Sequence, residues 1–95
     1  MSVARAEPTV LIDNERVRVT RWQFAPGAAT GWHRHEYDYV VVPLVDGVLE
    51  LVEPDGTRSS ELTTGVPYFR EAGVEHDVVN ANDYAFAFIE VEAKG

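Results

Sequence analysis

The feature that most constrains this sequence is a series of short runs of β-branched and aromatic residues, each ended by glycine, proline, asparagine or aspartate. No stretch keeps apolar residues at a period of 3.6 over three turns, so the signal of an amphipathic helix is missing. The clearest hairpin signal is Glu-Pro-Asp-Gly-Thr at 53–57. The pattern predicts an all-β protein, with strands at residues 9–12, 16–24, 31–35, 37–43, 48–52, 58–62, 67–69, 76–80 and 84–92.

The last predicted strand is apolar on both faces. Tyr84, Phe86 and Phe88 alternate with Ala85, Ala87, Ile89 and Val91, and the first charged residue is Glu90. A strand that is buried on two sides is typical of a sandwich or a small barrel. In the strand at 16–24, the apolar positions change from odd to even numbers near Thr20, which predicts either a β-bulge there or a strand that crosses between sheets.

The length of the chain limits it to one hydrophobic core. We expect a single domain over residues 1–95, with residues 1–8 as a flexible arm or an exchanged edge strand. A domain of this size buries only about two-thirds of its unfolded surface, so a dimer interface or a metal ion would add needed stability. Because the chain has no cysteine, disulfides and thiolate metal sites are excluded.

The charge of the chain excludes two classes of partner. A formal net charge of −8 at pH 7 opposes binding to nucleic acid and to anionic membrane surfaces. The first eight residues lack an apolar run, and the longest apolar stretch, 40–45, is interrupted by Pro43, so we expect neither an export signal nor a membrane span. Most acidic residues, including Glu90, are interpreted as solvent-facing.

The three histidines are the residues that carry chemistry. His33 and His35 are separated by one residue in an extended segment, so both side chains project from the same face of a strand. Two imidazoles on one face can bind one metal ion if a third ligand comes from a distant strand, and His76 is the remaining histidine. An isolated His-x-His pair is a weak signal, since it also arises by chance on a polar strand face.

The spacing of glycines around these histidines resembles the two motifs of the cupin superfamily. The first motif, within 27–47, is Gly27-x5-His33-x-His35 with Gly47 in the following turn, and the second, within 65–80, is Gly65-x7-Gly73-x2-His76-x3-Asn80. Only Glu71 departs from the second motif, which usually has proline there. The resemblance implies a jelly-roll barrel, also called a double-stranded β-helix, of the cupin 2-like kind. In this motif, Asn80 is expected to hold a turn.

The resemblance also exposes a missing ligand. Metal-binding cupins usually carry a glutamate three or four residues after the second histidine, and Tyr39 and Val40 stand there instead. Counting back from Gly47 favours Val40 as the equivalent position, whereas strand alternation favours Tyr39. Asp38 or Glu36 could supply a fourth ligand only if a bulge reversed the alternation. The expected site is therefore His33, His35 and His76 around one divalent transition metal ion, either Fe, Mn, Ni or Zn.

The sequence offers several residues for a substrate pocket beside that ion. Tyr37 and Tyr39 share the alternation of the histidines, and Tyr68 and Trp22 could line the cavity as well, although ordinary core packing explains such aromatic residues equally well. Arg70 precedes the second motif and could bind a substrate carboxylate, or it could form a surface ion pair with Glu71 or Glu75.

The segment at 26–44 resembles short stand-alone bacterial cupins, among them proteins named for β-alanine degradation. This implies a cytoplasmic homodimer that acts on a small acidic or carbonyl metabolite, by Fe(II) and dioxygen chemistry of the kind that three-histidine cupins perform. The alternative is a cupin that binds or senses a metal or a small ligand without turning it over. A metal that only staples a dimer is a third interpretation.

Overall fold

The structure is a computed structural model, and it describes residues 4–95. In this part of the chain, the strands are β1 Glu7–Asp13, β2 Val17–Phe24, β3 His33–Arg34, β4 Asp38–Pro43, β5 Gly47–Glu53, β6 Gly56–Leu62, β7 Tyr68–Arg70, β8 Glu75–Asn80 and β9 Phe86–Ala93. No helix in residues 4–95 has the length and apolar character needed to cross a membrane.

The strands form two sheets that pack face to face. One sheet has the order β1-β2-β9-β4-β7 and the other has the order β3-β8-β5-β6, and every pair of neighbouring strands is antiparallel. Because consecutive strands after β2 alternate between the sheets, apart from the β5–β6 hairpin, the chain winds as a double-stranded β-helix. The all-β, jelly-roll prediction is confirmed.

The interior changes from apolar at one end to polar at the other. Along β9, Phe86, Phe88, Glu90 and Glu92 all point inward and all are buried. On the opposite sheet, the inward positions of β8 run from Asn80 through Val78 to His76 in the same direction. The polar end of the interior is therefore where charged groups and histidines meet.

Two sequence predictions need correction here. Strand β2 is regular against β9, and its inward positions include Arg18 and Thr20, so the predicted bulge or crossing near Thr20 is wrong. A register shift lies instead in β1, between Val10 and Ile12. Glu90 is buried rather than solvent-facing, since its exposed fraction is 7%. The error arose because isolated charges on a strand were assigned to its outer face.

The segment before β1 is partly held against the fold. The Ala6 N–H donates to the Ala29 carbonyl, the Ala29 N–H donates to the Ala4 carbonyl, and Ala6 is buried. Residues 1–3, which belong to the arm predicted at 1–8, lie outside the described residues.

Asn80 closes the apolar end of the interior, as expected for a residue that holds a turn. Its Nδ2 donates to the Tyr84 carbonyl at 2.8 Å and to the Ala25 carbonyl at 3.2 Å, and its Oδ1 accepts from Asn82 N–H at 2.9 Å. Asn82 in turn packs against Gly47, where an added Cβ would lie 2.8 Å from Asn82 Nδ2. The second motif therefore links β2, β8 and the segment that leads into β9. Gly47 leaves room for the Asn82 side chain in this contact.

Replacing Asn80 should destabilise the protein strongly. Asn80→Ala leaves several carbonyl and N–H groups without partners, so we expect the free energy of unfolding to fall by about 2 kcal/mol or more. The exposed Glu61→Ala serves as control, with an expected change of about 0.5 kcal/mol or less. Urea denaturation measures both, and equal losses in the two variants would contradict the role of Asn80.

Candidate metal centre

The three histidines come from the polar end of the four-stranded sheet. His33 on β3 pairs directly with His76 on β8, although 42 residues separate them in the chain. His35 follows β3, where its N–H donates to the Val74 carbonyl and its carbonyl accepts from the Gly73 N–H. These backbone bonds fix both ends of the His-x-His segment against the second motif.

The Nε2 atoms of the three rings converge on one point. Nε2 of His35 lies 3.0 Å from Nε2 of His33 and 3.0 Å from Nε2 of His76. Imidazole nitrogens bind divalent ions at about 2.1 Å, so two ligands at a right angle are about 3.0 Å apart, against about 3.4 Å in a tetrahedron. Both spacings from His35 match ligands at a right angle, and the donor set fits a first-row transition metal ion.

Contacts behind the rings hold two of them in orientation. The His33 Nδ1–H donates to the Gly31 carbonyl at 2.9 Å, which leaves the Nε2 lone pair free to face an ion. The ring of His35 stacks on Tyr39 with centroids 3.8 Å apart. Such outer contacts define the tautomer and the direction of a metal-binding imidazole.

Both buried rings are neutral at physiological pH. Burial, followed by the nearby His33, lowers the pKa of His35 to about 4. Burial, followed by His33 and His35, lowers the pKa of His76 to about 3. A neutral imidazole is the form that binds a metal, so these two rings need not lose a proton first. Nδ1 of His76 is buried and has no hydrogen-bond partner within residues 4–95.

A cavity of about 390 Å³ opens beside the histidines. Its lining residues are Arg18, Trp22, Thr30, His33, Arg34, His35, Glu36, Glu90 and Glu92. Arg18 binds Glu92 through two nitrogens, with Nε 2.9 Å from Oε1 and Nη2 3.2 Å from Oε2. Glu90 is different, because no hydrogen bond to its carboxylate is formed within the described residues. The Trp22 indole faces it but falls short of hydrogen-bond geometry.

The sequence analysis missed both buried carboxylates. Burial, followed by the charge of Glu92, raises the pKa of Glu90 to about 7. A signal for their position was present, because Glu90 and Glu92 continue the alternation of Phe86 and Phe88. Residues two apart on a strand share a face, so these carboxylates lie on the same face as the two phenylalanines.

The structure divides the predicted pocket residues into two groups. Trp22, Tyr39 and Tyr68 line a second space inside the barrel, and His76 lines the same space. The hydroxyl of Tyr39 is buried without a partner, and burial raises its pKa well above the usual range.

Other predicted site residues lie away from the cavity. Arg70 Nη2 is paired with Glu53 at 3.2 Å, so its guanidinium is engaged by a protein carboxylate other than the expected Glu71 or Glu75. Asp38 is exposed, and it accepts the Ala72 N–H at 2.8 Å rather than lining the cavity. Tyr37 is half-buried and is absent from the cavity lining.

Comparison with known proteins identifies the class. The family described as "Cupin domain" matches residues 20–92, which includes all three histidines, and the chain belongs to this family. It is 57% identical over 90 residues to the beta-alanine degradation protein BauB of Pseudomonas aeruginosa, with 95% of each chain covered. The predicted resemblance to small bacterial cupins is confirmed.

Solved structures agree with this assignment. A cupin domain from Bordetella pertussis Tohama I superposes with a TM-score of 0.98 at 56% identity, covering 100% of this chain and 99% of that one. A double-stranded β-helix protein from Klebsiella pneumoniae has a TM-score of 0.80 at 22% identity, covering 100% and 82%. The second likeness concerns the fold alone.

The lowered histidine pKa values predict how stability depends on pH. Between pH 6.5 and 5, the unfolded chain takes up protons on His35 and His76 whereas the folded protein does not, so the free energy of unfolding falls as pH falls. Glu90 acts in the opposite direction, because its raised pKa keeps a proton on the folded protein that the unfolded chain releases. The contribution of Glu90 to the pH dependence of stability therefore offsets that of one of the two histidines.

The wild type should lose stability as pH falls from 6.5 to 5. The variant His35→Asn/His76→Asn should instead gain stability over this range, because the contribution of Glu90 remains and those of the two histidines are gone. Urea denaturation of the chelator-treated proteins at several pH values between 6.5 and 5 measures the slope. A double variant that keeps the slope of the wild type would contradict the assignment.

Proposed function

We propose that this cupin holds one divalent transition metal ion, Fe, Mn, Ni or Zn, on His33, His35 and His76 and uses it on a small acidic or carbonyl metabolite. The observation that supports this most is the convergence of three Nε2 atoms beside a cavity, with Nε2 of His35 3.0 Å from each of the other two. In a metal-free protein, a proton on one of these rings cannot form hydrogen bonds that satisfy all three nitrogens. An ion that accepts all three lone pairs removes the conflict.

The protein's own residues have separable tasks in this proposal. Gly31 and Tyr39 orient the His33 and His35 rings, and the wall formed by Trp22 shields one side of the cavity. When bound, an ion on three neutral imidazoles supplies Lewis acidity, and iron in addition supplies one-electron chemistry with dioxygen. We therefore propose an oxygenase-like reaction, in which substrate binds on the cavity side of the histidines.

The proposed substrate class follows from the size and charge of the cavity. A volume of about 390 Å³ suits a metabolite of small size. Arg34 lines this cavity, and no ion pair within residues 4–95 engages it, so it can bind a carboxylate in the role that the sequence suggested for Arg70. The name of the relative BauB, a beta-alanine degradation protein, supports a small amino acid or carboxylate as substrate.

A second copy of the chain is the partner that we propose. An apolar row crosses the outer face of the five-stranded sheet, where register pairs Ile12 with Val19, Val19 with Val91, Val91 with Val40 and Val40 with Phe69. Exposed fractions at the two ends of this row are 49% for Ile12 and 58% for Phe69.

The neighbouring outward positions are poor in charge. The residues that face outward from the three central strands are Val17, Val19, Arg21, Gln23, Asp38, Val40, Val42, Ala87, Ile89, Val91 and Ala93, and Arg21 and Asp38 are the two charged residues in this set. Depletion of charge is typical of the centre of an interface. A flat, continuous row of this kind is complementary to itself about a two-fold axis, which supports a homodimer.

Elemental analysis tests the metal centre. We expect about one equivalent of Fe, Mn, Ni or Zn per chain in the wild type and almost none in His33→Ala/His35→Ala, because one remaining imidazole binds weakly. Trp32→Ala is the matched control, since Trp32 adjoins His33 but is exposed. A metal-free wild type that also takes up no added ion would contradict the proposed function.

The same protein, loaded with Fe(II), tests for turnover. An enzyme should consume dioxygen with one member of a panel of small amino acids, oxo acids and diketones. Thermal stabilisation by a member of the panel, with no consumption of dioxygen, would favour a binding module over an enzyme.

Light scattering tests the dimer. The wild type should have roughly twice the chain mass of 10.6 kDa at micromolar concentration. The variant Ile12→Glu/Phe69→Glu should be monomeric, because it would place like charges in the apolar row. The control Leu44→Glu replaces an exposed residue outside the sheet and should stay dimeric. A monomeric wild type, or a dimeric double variant, would contradict the proposal.

A further inference from the structure

We propose that Glu90 on strand β9 is the carboxylate partner of the metal centre. It supplies the negative charge that the inward face of β4 lacks. This inference rests on the proposed function, since it assigns one more residue to the same site. It concerns a residue that the motif pattern does not contain.

The first argument is the state of the Glu90 side chain. Its exposed fraction is 7%, it lines the cavity beside the histidines, and no hydrogen bond to its carboxylate is formed within residues 4–95. The neighbouring Glu92 differs, because the guanidinium of Arg18 balances it. A carboxylate charge in this poorly exposed position is costly, and a cation nearby reduces that cost.

The second argument is the distance to the histidines. A ring nitrogen of His35 and carboxylate oxygens of Glu90 and Glu92 all lie within 4.8 Å of one another. The three histidines and Glu90 do not form one such group together, so Glu90 stands beside the three-histidine set. This placement suits a carboxylate that accepts a hydrogen bond from a molecule bound at an open position of the ion.

The third argument is the sheet register. Tyr39 and Val41 on β4 pair directly with Glu92 and Glu90 on β9. Directly opposed residues on antiparallel strands have Cβ atoms about 5 Å apart, so a carboxylate on β9 can reach the region that one on β4 would occupy. With Glu92 engaged by Arg18, Glu90 is the carboxylate of this pair that remains free to balance the ion.

Charge balance supports the same conclusion. His35 and His76 are neutral ligands, so a divalent ion keeps its full charge unless a carboxylate lies near. Glu90 reduces that charge from 2+ to 1+, which strengthens ion binding and still leaves the open side attractive to an acidic substrate.

The test compares metal affinity with the stability of the metal-free protein. Calorimetric titration with Mn²⁺ or Co²⁺ should give a dissociation constant about 10- to 100-fold weaker for Glu90→Gln than for the wild type, as for other carboxylates behind metal ligands. Metal-free Glu90→Gln should be as stable as the wild type or more stable, because the change removes an unpaired buried charge. A merely structural glutamate would instead lower stability and leave affinity unchanged.

Two further variants sharpen the test. Glu90→Asp keeps the charge and should recover most of the affinity. Glu61→Gln removes an exposed charge on β6 and should leave the dissociation constant unchanged. Repeating the titrations at about 0.5 M salt separates local from long-range effects, since salt screens the latter and the loss in Glu90→Gln should persist.

The outcomes distinguish this inference from the proposed function. Equal affinities of the wild type and Glu90→Gln would overturn the role of Glu90 and leave the three-histidine centre intact. A wild type that binds neither ion would overturn both. If Glu90→Gln does not fold, Glu90→Ala replaces it in the titration, and an affinity of Glu90→Ala equal to that of the wild type would also overturn the inference.

Discussion

The antiparallel pairing of His33 with His76 is the contact on which the candidate metal centre depends. Strand β3 has only two residues, and its partner strand β8 supplies both the pairing residue and the turn that precedes it. Hydrogen bonds between His35 and the segment at 73–74 extend this short pairing. Since the third ligand follows immediately, the backbone of these few residues determines where all three rings lie.

The rest of the fold gives that pairing a polar environment inside an otherwise apolar molecule. Alternation on β9 puts Phe86 and Phe88 into the closed end of the interior and Glu90 and Glu92 into the open end. Asn80 holds the closed end through hydrogen bonds to two separate parts of the chain, the end of β2 and the segment at 82–84. The closed end therefore stabilises the fold, which allows the open end to keep buried charges and unpaired polar atoms.

The sequence was sufficient for the fold and for the three histidines, because both depend on local rules. Turn residues and alternation predict strands, and the spacing of His33, His35 and His76 between glycines matches a family motif. Partners of charged residues could not be predicted, because they depend on sheet register. Arg70 meets Glu53 rather than its sequence neighbours.

Register also decides what replaces a missing ligand. Tyr39 is the β4 position on the histidine side, and in the structure its ring stacks on His35 instead of binding an ion through a carboxylate. Directly across from Tyr39, β9 carries Glu92, which is bound to Arg18. Two residues further into the interior, β9 carries Glu90, to which no hydrogen bond is formed within the described residues. A metal site in a sheet needs charge at a point in space rather than at a position in a motif, because adjacent strands bring their side chains to within about 5 Å of each other. Loss of the carboxylate from one strand is therefore compatible with metal binding when the adjacent strand carries a buried carboxylate free of other partners.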